Sequence, residues 1–207
     1  SPRIHTQFAA ESAQSLEYQA LQLETENFEA QIRALIAAGF LGVNVTVPFK
    51  EKAWALCDKL SPRARDAGAV NTLFFQADGV IAGDNTDGIG LTRDMITNHH
   101  ILIKNRKILL LGAGGAVRGI LGPLMAQMPE LVTIANRNAA RAEELVEHFS
   151  GKYKVDLSAC AYQDLGRDKF DLIINGTSAG LSQQVPPIPD EILAANSICY
   201  DLMYSID

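Results

Sequence analysis

Gly112, Gly114 and Gly115 lie in ILLLGAGGAVRGI, between an apolar run that reads as a strand and a stretch that reads as a helix. Glycines there permit a tight turn. They also let the N–H groups of a helix N-terminus approach a pyrophosphate, so Gly112, Ala113, Gly114, Gly115 and Ala116 are candidates for holding one. Val117 stands where the common GxGxxG pattern has its third glycine. Strand before and helix after give the loop its context; the bland alternative is a turn that binds nothing. The next strand sharpens the reading, because LVTIA ends on Asn136, followed by Arg137 and, one helical turn later, Arg141. A carboxylate at that strand end would hold a ribose 2′-hydroxyl and repel a 2′-phosphate. Two guanidiniums beside a helix N-terminus attract the phosphate by charge and by bidentate hydrogen bonds. The pattern predicts NADP over NAD and argues against S-adenosylmethionine, whose ribose hydroxyls would call for an acidic residue. The competing reading makes both arginines solvated surface charges, with Arg141 paired to Glu143 or Glu144.

A second set of reactive side chains lies earlier. Lys50, in VPFKEKAWALC, sits near the positive end of a predicted helix, where charge disfavours it. Such a placement can lower a lysine's pKa and make it a usable acid or base. From position alone, a solvated lysine is the better reading. Asp87 in GDNTDGIG reads as a helix N-cap. Asn71 in AGAVNTL reads as a turn residue and Thr46 as an ordinary strand residue. His5, His99 and His100 have no metal-ligand spacing, and no metal is predicted.

These residues need elements to position them. The sequence predicts a helical stretch with a break from His5 to Ala38, with Phe28, Ile32, Leu35 and Ile36 on one face and Gly39 ending it. LGVNVTV alternates as a strand, Pro48 stops it, and KEKAWALCDKL reads as a helix. AGAVNTLFF and GVIAGDN read as strands around the turn QADG, and GIGLTRDMITNHH as a helix. Strand and helix then alternate: KILLLGAG, AVRGILGPLMAQM with an irregularity at Pro123, LVTIANR, AARAEELVEHFS, VDLSACAY as strand or loop, FDLIINGTSAG and SICYDLMY. That alternation implies a parallel sheet with βαβ crossovers. The predicted fold is α/β with two domains, residues 1–87 and a Rossmann-like domain over 88–207.

Composition excludes other classes. The chain has 207 residues, 47% of them hydrophobic and 20% charged, enough to build a core. With a net charge of -6 and no basic run interleaved with aromatics, nucleic acid is not an expected partner. No apolar run approaches the roughly 18–20 residues of a membrane helix, and no signal peptide is visible. Cys57, Cys160 and Cys199 are scattered and odd in number, which points to reduced thiols and a cytoplasmic setting.

Taken together, NVTVPFKEKAW, GAVNTL, GDNTDGIG, LLGAGGAVRGI, NRNAAR, INGTSAG and YDLMY, in that order, closely resemble the shikimate dehydrogenase family. The resemblance runs through essentially the whole chain. It implies an NADP-dependent oxidoreductase that interconverts 3-dehydroshikimate and shikimate in chorismate and aromatic amino-acid biosynthesis. It implies that Lys50 and Asp87 are the catalytic pair. Ser1, Thr46, Asn71 and Tyr204 would line the shikimate pocket, with Ser1 and Tyr204 at the carboxylate end and Asn71, Lys50 and Asp87 at the ring hydroxyls. Gly112 to Ala116 would hold the pyrophosphate of NADP, and Asn136, Arg137 and Arg141 its adenosine phosphate. Thr177, Ser178 and Leu202 would lie beside the ribose or nicotinamide. A homodimer is the assembly it admits.

The sequence departs from the family at its ends. SPRIH resembles the tail of the family's serine-x-serine-proline motif, with a strand expected ahead of it and helices beyond Asp207. The expectation is a fragment with an incomplete substrate domain, folding poorly or inactive by itself. Gly176 stands where alanine is common in the family's loop, a minor departure. The nearest alternative is the quinate/shikimate branch that uses NAD, against which Asn136, Arg137 and Arg141 argue. A non-catalytic ligand-binding homologue is the alternative from another class, and retention of Lys50 and Asp87 argues against it. A folate dehydrogenase does not suit NVTVPFK and GDNTDG.

Overall fold

The computed structural model describes residues 2–177 and 185–203, so Ser1, Ser178 and Tyr204 lie outside the described residues. The chain forms two compact units, residues 1–39 and 40–207. The first holds α1 (Pro2–Glu11) and α2 (Phe28–Ala37), so the expected break spans residues 12–27. On α2, Phe28 and Ile32 are buried and Leu35 and Ile36 half-buried, which is the stripe the periodicity predicts. The segment between the helices is tied down locally. The His5 ring stacks on Tyr18 with centroids 4.1 Å apart, and the Gln31 side chain bonds both backbone groups of Glu24.

The second unit opens with a four-stranded sheet of β1 (Gly42–Asn44), β2 (Lys59–Leu60), β3 (Thr72–Phe75) and β4 (Ile81–Asp84), in the order β1-β3-β4-β2. β1 runs antiparallel to β3 and β3 to β4, while β2 is parallel to β4. The strand predicted over LGVNVTV shortens to three residues. Residues 45–49 form a loop, although Val45 N–H still donates to the Asn71 carbonyl at 2.7 Å. The helix predicted over KEKAWALCDKL also stops early, as α3 (Lys50–Leu56). The reason is β4, whose Ile81 exchanges backbone and side-chain hydrogen bonds with Asp58 at 2.9 and 2.8 Å and draws the next residues into β2. A short helix, α4 (Pro62–Ala67), follows that apolar periodicity does not announce. Its ends do. Ser61 Oγ accepts from Ala64 N–H at 3.1 Å, Pro62 fills the first turn, and Gly68 closes the helix at φ +64°.

α5 (Asp87–Arg93) runs on into a π-helical turn over Asp94–Asn98. A five-stranded sheet then builds up from β5 (Lys107–Leu111), β6 (Leu131–Asn136), β7 (Asp156–Ala161), β8 (Phe170–Asn175) and β9 (Leu193–Asp201). Its order is β7-β6-β5-β8-β9, and every pairing is parallel. α6 (Gly115–Met125) joins β5 to β6 and α7 (Ala139–Phe149) joins β6 to β7, so the predicted α/β alternation is present and VDLSACAY resolves as a strand. Ile108 and Leu110 pack with α6 and α7 on one face, whereas Leu109 and Leu111 join Leu165, Phe170 and Ile192 on the other. A strand covered on both faces has to be apolar throughout, which explains the unbroken KILLL. The strand order reverses between β5 and β8. In open parallel sheets, ligands sit outside the carboxyl ends at that point. Among the described residues no helix is long and apolar enough to cross a membrane.

α5 crosses α6 with almost no separation. A Cβ on Gly88 would come within 2.6 Å of both the Gly119 carbonyl oxygen and Pro123 Cγ. Pro123 has no N–H to give the Gly119 carbonyl, so the predicted irregularity in α6 lies at the crossing itself.

The β8 end is equally close. Gly176 N–H donates to the Leu111 carbonyl at 2.9 Å, and a Cβ on Gly176 would come 2.5 Å from Val117 Cγ2. Gly176 is therefore no minor departure: the bulk of buried Val117 fills the space an alanine would need. Gly176→Ala is expected to cost about 1–3 kcal/mol in urea unfolding through overpacking. Val117→Ala alone leaves a void, of similar cost. The double variant should be more stable than the sum of the two by at least about 0.5 kcal/mol, and strict additivity would refute the clash.

Candidate active site

The edge of the four-stranded sheet where β4 ends and β3 begins places the first set of residues. Asp84 closes β4, and Asn85, Thr86 and Asp87 follow it into the first turn of α5. Buried Asn85 fixes this path. Its Nδ2 donates to the Ala69 carbonyl at 3.0 Å, and its Oδ1 accepts from Asp87 N–H at 3.1 Å. Thr86, not Asp87, is the N-cap residue of α5, so the cap expected at Asp87 is displaced by one residue. The Asp87 carboxylate is thereby released for other partners. Its Oδ2 accepts from Lys50 Nζ at 2.6 Å and its Oδ1 from Asn71 Nδ2 at 2.8 Å. Both sit at helix beginnings. There the dipole favours the aspartate and opposes the lysine, which the ion pair offsets.

Asn71 lies just ahead of β3 and holds the arrangement together. Its Nδ2 also donates to Thr86 Oγ1 at 2.9 Å, while its Oδ1 accepts from Thr72 Oγ1 at 2.8 Å and Thr86 N–H at 3.1 Å. It is more than a turn residue. Thr86 and Thr72 around it, and Asn85 behind Asp87, are residues that no sequence motif singles out. Thr46 is exposed in the loop after β1, its carbonyl accepting from Phe49 N–H at 2.9 Å. The side chains of Lys50 and Asp87 are 12% and 24% exposed, so the pair is largely shielded from water.

The glycine loop lies beside this lysine. A Cβ on Gly115 would come 3.0 Å from Lys50 Cβ. Gly112 adopts φ +100° at the end of β5, a conformation that favours glycine, with Gly176 and Thr177 against it. Gly114 is the N-cap of α6 and offers no side-chain cap, so the first N–H groups of that helix point outward without a partner from it. A cleft of about 890 Å³ extends from Lys50 and Glu51 along Gly112 to Ala116, past Thr177, to Asn136, Arg137 and Arg141. Lys50 is the member of the ion pair that faces it. Leu202 lies beside the loop end, its N–H donating to the Asn175 carbonyl at 2.9 Å.

Asn138 caps α7 by accepting from Ala140 N–H at 3.1 Å, and Asn136 Nδ2 donates to the Asn138 carbonyl at 2.8 Å. Arg137 and Arg141 are exposed. Among the described residues neither guanidinium has an ion-pair partner, so Arg141 does not pair with Glu143 or Glu144. An uncapped helix N-terminus, glycines that leave the loop bare and two uncommitted guanidiniums fit a phosphorylated dinucleotide. Among the described residues no cluster of His, Cys, Asp and Glu is arranged to hold a metal. Tyr162, Val185, Pro186 and Pro187 also line the cleft, unannounced by any motif.

A family model described as the shikimate dehydrogenase substrate binding domain matches residues 1–73, and one described as shikimate / quinate 5-dehydrogenase matches residues 96–183. Shikimate dehydrogenase (NADP(+)) of Alkalilimnicola ehrlichii is 50% identical over 204 residues, covering 99% of this chain and 74% of that protein. Among solved structures, an Ael1 enzyme from Pseudomonas putida aligns with a TM-score of 0.85 at 41% identity, over 99% of this chain and 74% of its own. Shikimate 5-dehydrogenase from Thermus thermophilus, in complex with NADP(H) and shikimate, aligns at 0.80 with 30% identity, over 97% and 72%.

Asp84, three residues ahead of Asp87, braces the turn between the two sheets. Burial pushes its carboxyl up. Hydrogen bonds from Arg63, Ser61 and Asn85 N–H outweigh this and hold it below the usual carboxylate range. A depressed folded pKa contributes stability above the unfolded value of about 3.9, and that contribution is lost as pH falls through the folded value. Arg63→Met should therefore melt at a lower temperature than the wild type at pH 7. The gap should narrow below about pH 4; a gap independent of pH would refute the brace.

Proposed function

The chain belongs to the shikimate dehydrogenase family, and from that premise we propose that it catalyses the NADP-dependent, reversible reduction of 3-dehydroshikimate to shikimate. The observation that carries this reading is that Lys50, held by Asp87 at 2.6 Å, lines the same cleft as the glycine loop and the two uncommitted arginines. Residues 1–87 serve as the substrate part and 88–207 as the cofactor part. The reaction belongs to chorismate and aromatic amino-acid biosynthesis in the cytoplasm, and the working assembly is a homodimer.

NADPH, when bound, supplies a hydride to the ring carbonyl carbon. Gly112 to Ala116 bind its pyrophosphate through backbone N–H groups, and Asn136, Arg137 and Arg141 bind the 2′-phosphate. Lys50 stabilises the negative charge developing on the carbonyl oxygen and gives it a proton; in reverse it takes the hydroxyl proton of shikimate. Asp87 orients the ammonium with one carboxylate oxygen. Its other oxygen is engaged by Asn71, so the carboxylate is held from both sides. By resemblance to the family, Ser1, Thr46, Asn71 and Tyr204 serve the shikimate pocket, with Ser1 and Tyr204 for the carboxylate and Asn71, Lys50 and Asp87 for the ring hydroxyls, and Thr177, Ser178 and Leu202 serve the ribose or nicotinamide.

Initial rates with shikimate or quinate, each against NADP or NAD, test the reading. Turnover should be greatest with shikimate and NADP; equal use of quinate and NAD would favour the quinate branch. Lys50→Met and Asp87→Asn should each lower kcat by about 10²–10⁴. The Kd for NADP, measured by nucleotide fluorescence, should change little. Replacing Arg137 and Arg141 by serine should weaken NADP more than ten-fold, each lost charged hydrogen bond counting for about 1.5–3 kcal/mol, while NAD binding stays constant. Equal weakening of both cofactors would refute the 2′-phosphate role.

A further inference from the structure

We propose that Tyr162 is the stacking platform for the adenine ring of the cofactor, an inference that rests on the dinucleotide reading of the cleft. β6 and β7 pair in register, with Asn136 opposite Ala161. The residues that leave the two strands next, Arg137 and Tyr162, therefore emerge side by side at the same edge. Both line the cleft. Tyr162 begins a 3₁₀ turn over Tyr162–Asp164 and is half-buried, its ring resting on the cluster of Leu109, Leu111 and Ala135. One side of the ring is thus anchored in the core while its remainder faces the cavity. Burial pushes its phenol up and the Arg137 guanidinium pulls it back, which agrees with their adjacency.

The covalent structure of the ligand supplies the remaining link. Adenine leaves the ribose carbon next to the one that carries the 2′-phosphate. Whatever holds that phosphate fixes where the base lies, within one sugar carbon. With the phosphate at Arg137 and Arg141, the base has to lie along this end of the cleft. There the wall includes Tyr162. An aromatic ring stacks on any purine face, and such contacts typically change binding by about ten-fold or more when the ring is removed. This separates the labour at the adenosine end: the arginines read the 2′-phosphate, and Tyr162 holds the base whichever cofactor carries it.

The test is calorimetric binding of 2′,5′-ADP, NADP and NAD to the full chain. Tyr162→Ala should raise all three Kd values about ten-fold by a common factor, leaving the NADP-to-NAD ratio unchanged. Tyr162→Phe should bind as the wild type does. Because the ring also packs on the core, Tyr162→Leu keeps the apolar contact without an aromatic face and should behave like Tyr162→Ala; the melting temperature monitors folding. Unchanged Kd values in Tyr162→Leu would overturn the proposal. So would a loss confined to NADP and 2′,5′-ADP, which would mean the ring acts only through Arg137. Wild-type protein that bound NAD but not 2′,5′-ADP would instead overturn the 2′-phosphate reading, and the NAD series would still decide Tyr162.

Discussion

The site depends on two helices that approach each other at a pair of glycines. Gly88 in α5 and Gly119 in α6 leave no room for a Cβ on either, and Pro123 completes the contact. A Cβ on Gly119 would come within 2.9 Å of the Asp87 carboxylate and of the Asn85 amide. The helix whose N-terminus frames the glycine loop therefore also forms the floor beneath the aspartate that holds Lys50. The glycine loop and the Lys50–Asp87 ion pair share a single rigid element. Their relative placement is set by backbone contact, which packed interiors do not relax easily.

Around that floor the charges are divided by how far they are committed. Lys50 and Asp87 satisfy one another, Asp84 is held by Arg63 and Ser61, and the Asp66 carboxylate bonds the Tyr153 hydroxyl at 2.7 Å and Lys152 at 3.0 Å. These contacts hold backbone segments in position. Arg137, just past β6, and Arg141, in the first turn of α7, are exposed and have no ion-pair partner among the described residues. A charge already satisfied within the fold has less to offer a ligand, so the uncommitted guanidiniums are the ones with binding energy to give.

The sequence made the parallel sheet legible because its strands and helices are long, regular and strongly patterned. It lost β2, which has two residues and is set by its pairing with β4, flanked by the Asp58–Ile81 bonds. α4 is too short for periodicity, though its serine, proline and glycine marked both ends. The end of α3 was misplaced because helix propensity continues through residues that the edge of β4 captures. At the site, the glycine loop and the arginines could be read from local chemistry. Lys50, Asp87, Asn71 and Thr46 were each bland alone, because what joins the first three is the end of a sheet and not spacing along the chain. Asn85, Thr86 and Tyr162 left no signal at all, since their roles arise from what the fold sets beside them.

The contact between Gly176 and Val117 bears on how such a chain can change over time. Neither position is free by itself: Val117 lies in α6 and Gly176 just past the end of β8, far apart in sequence. If Gly176 gains a methyl group first, the lineage must pass through a strained intermediate at a turn that lines the cleft. If Val117 shrinks first, it passes through a slightly loosened core and keeps the turn intact. The order of substitution therefore decides which intermediate forms survive. A homologous loop transplanted here without its helix partner would carry half of a matched pair.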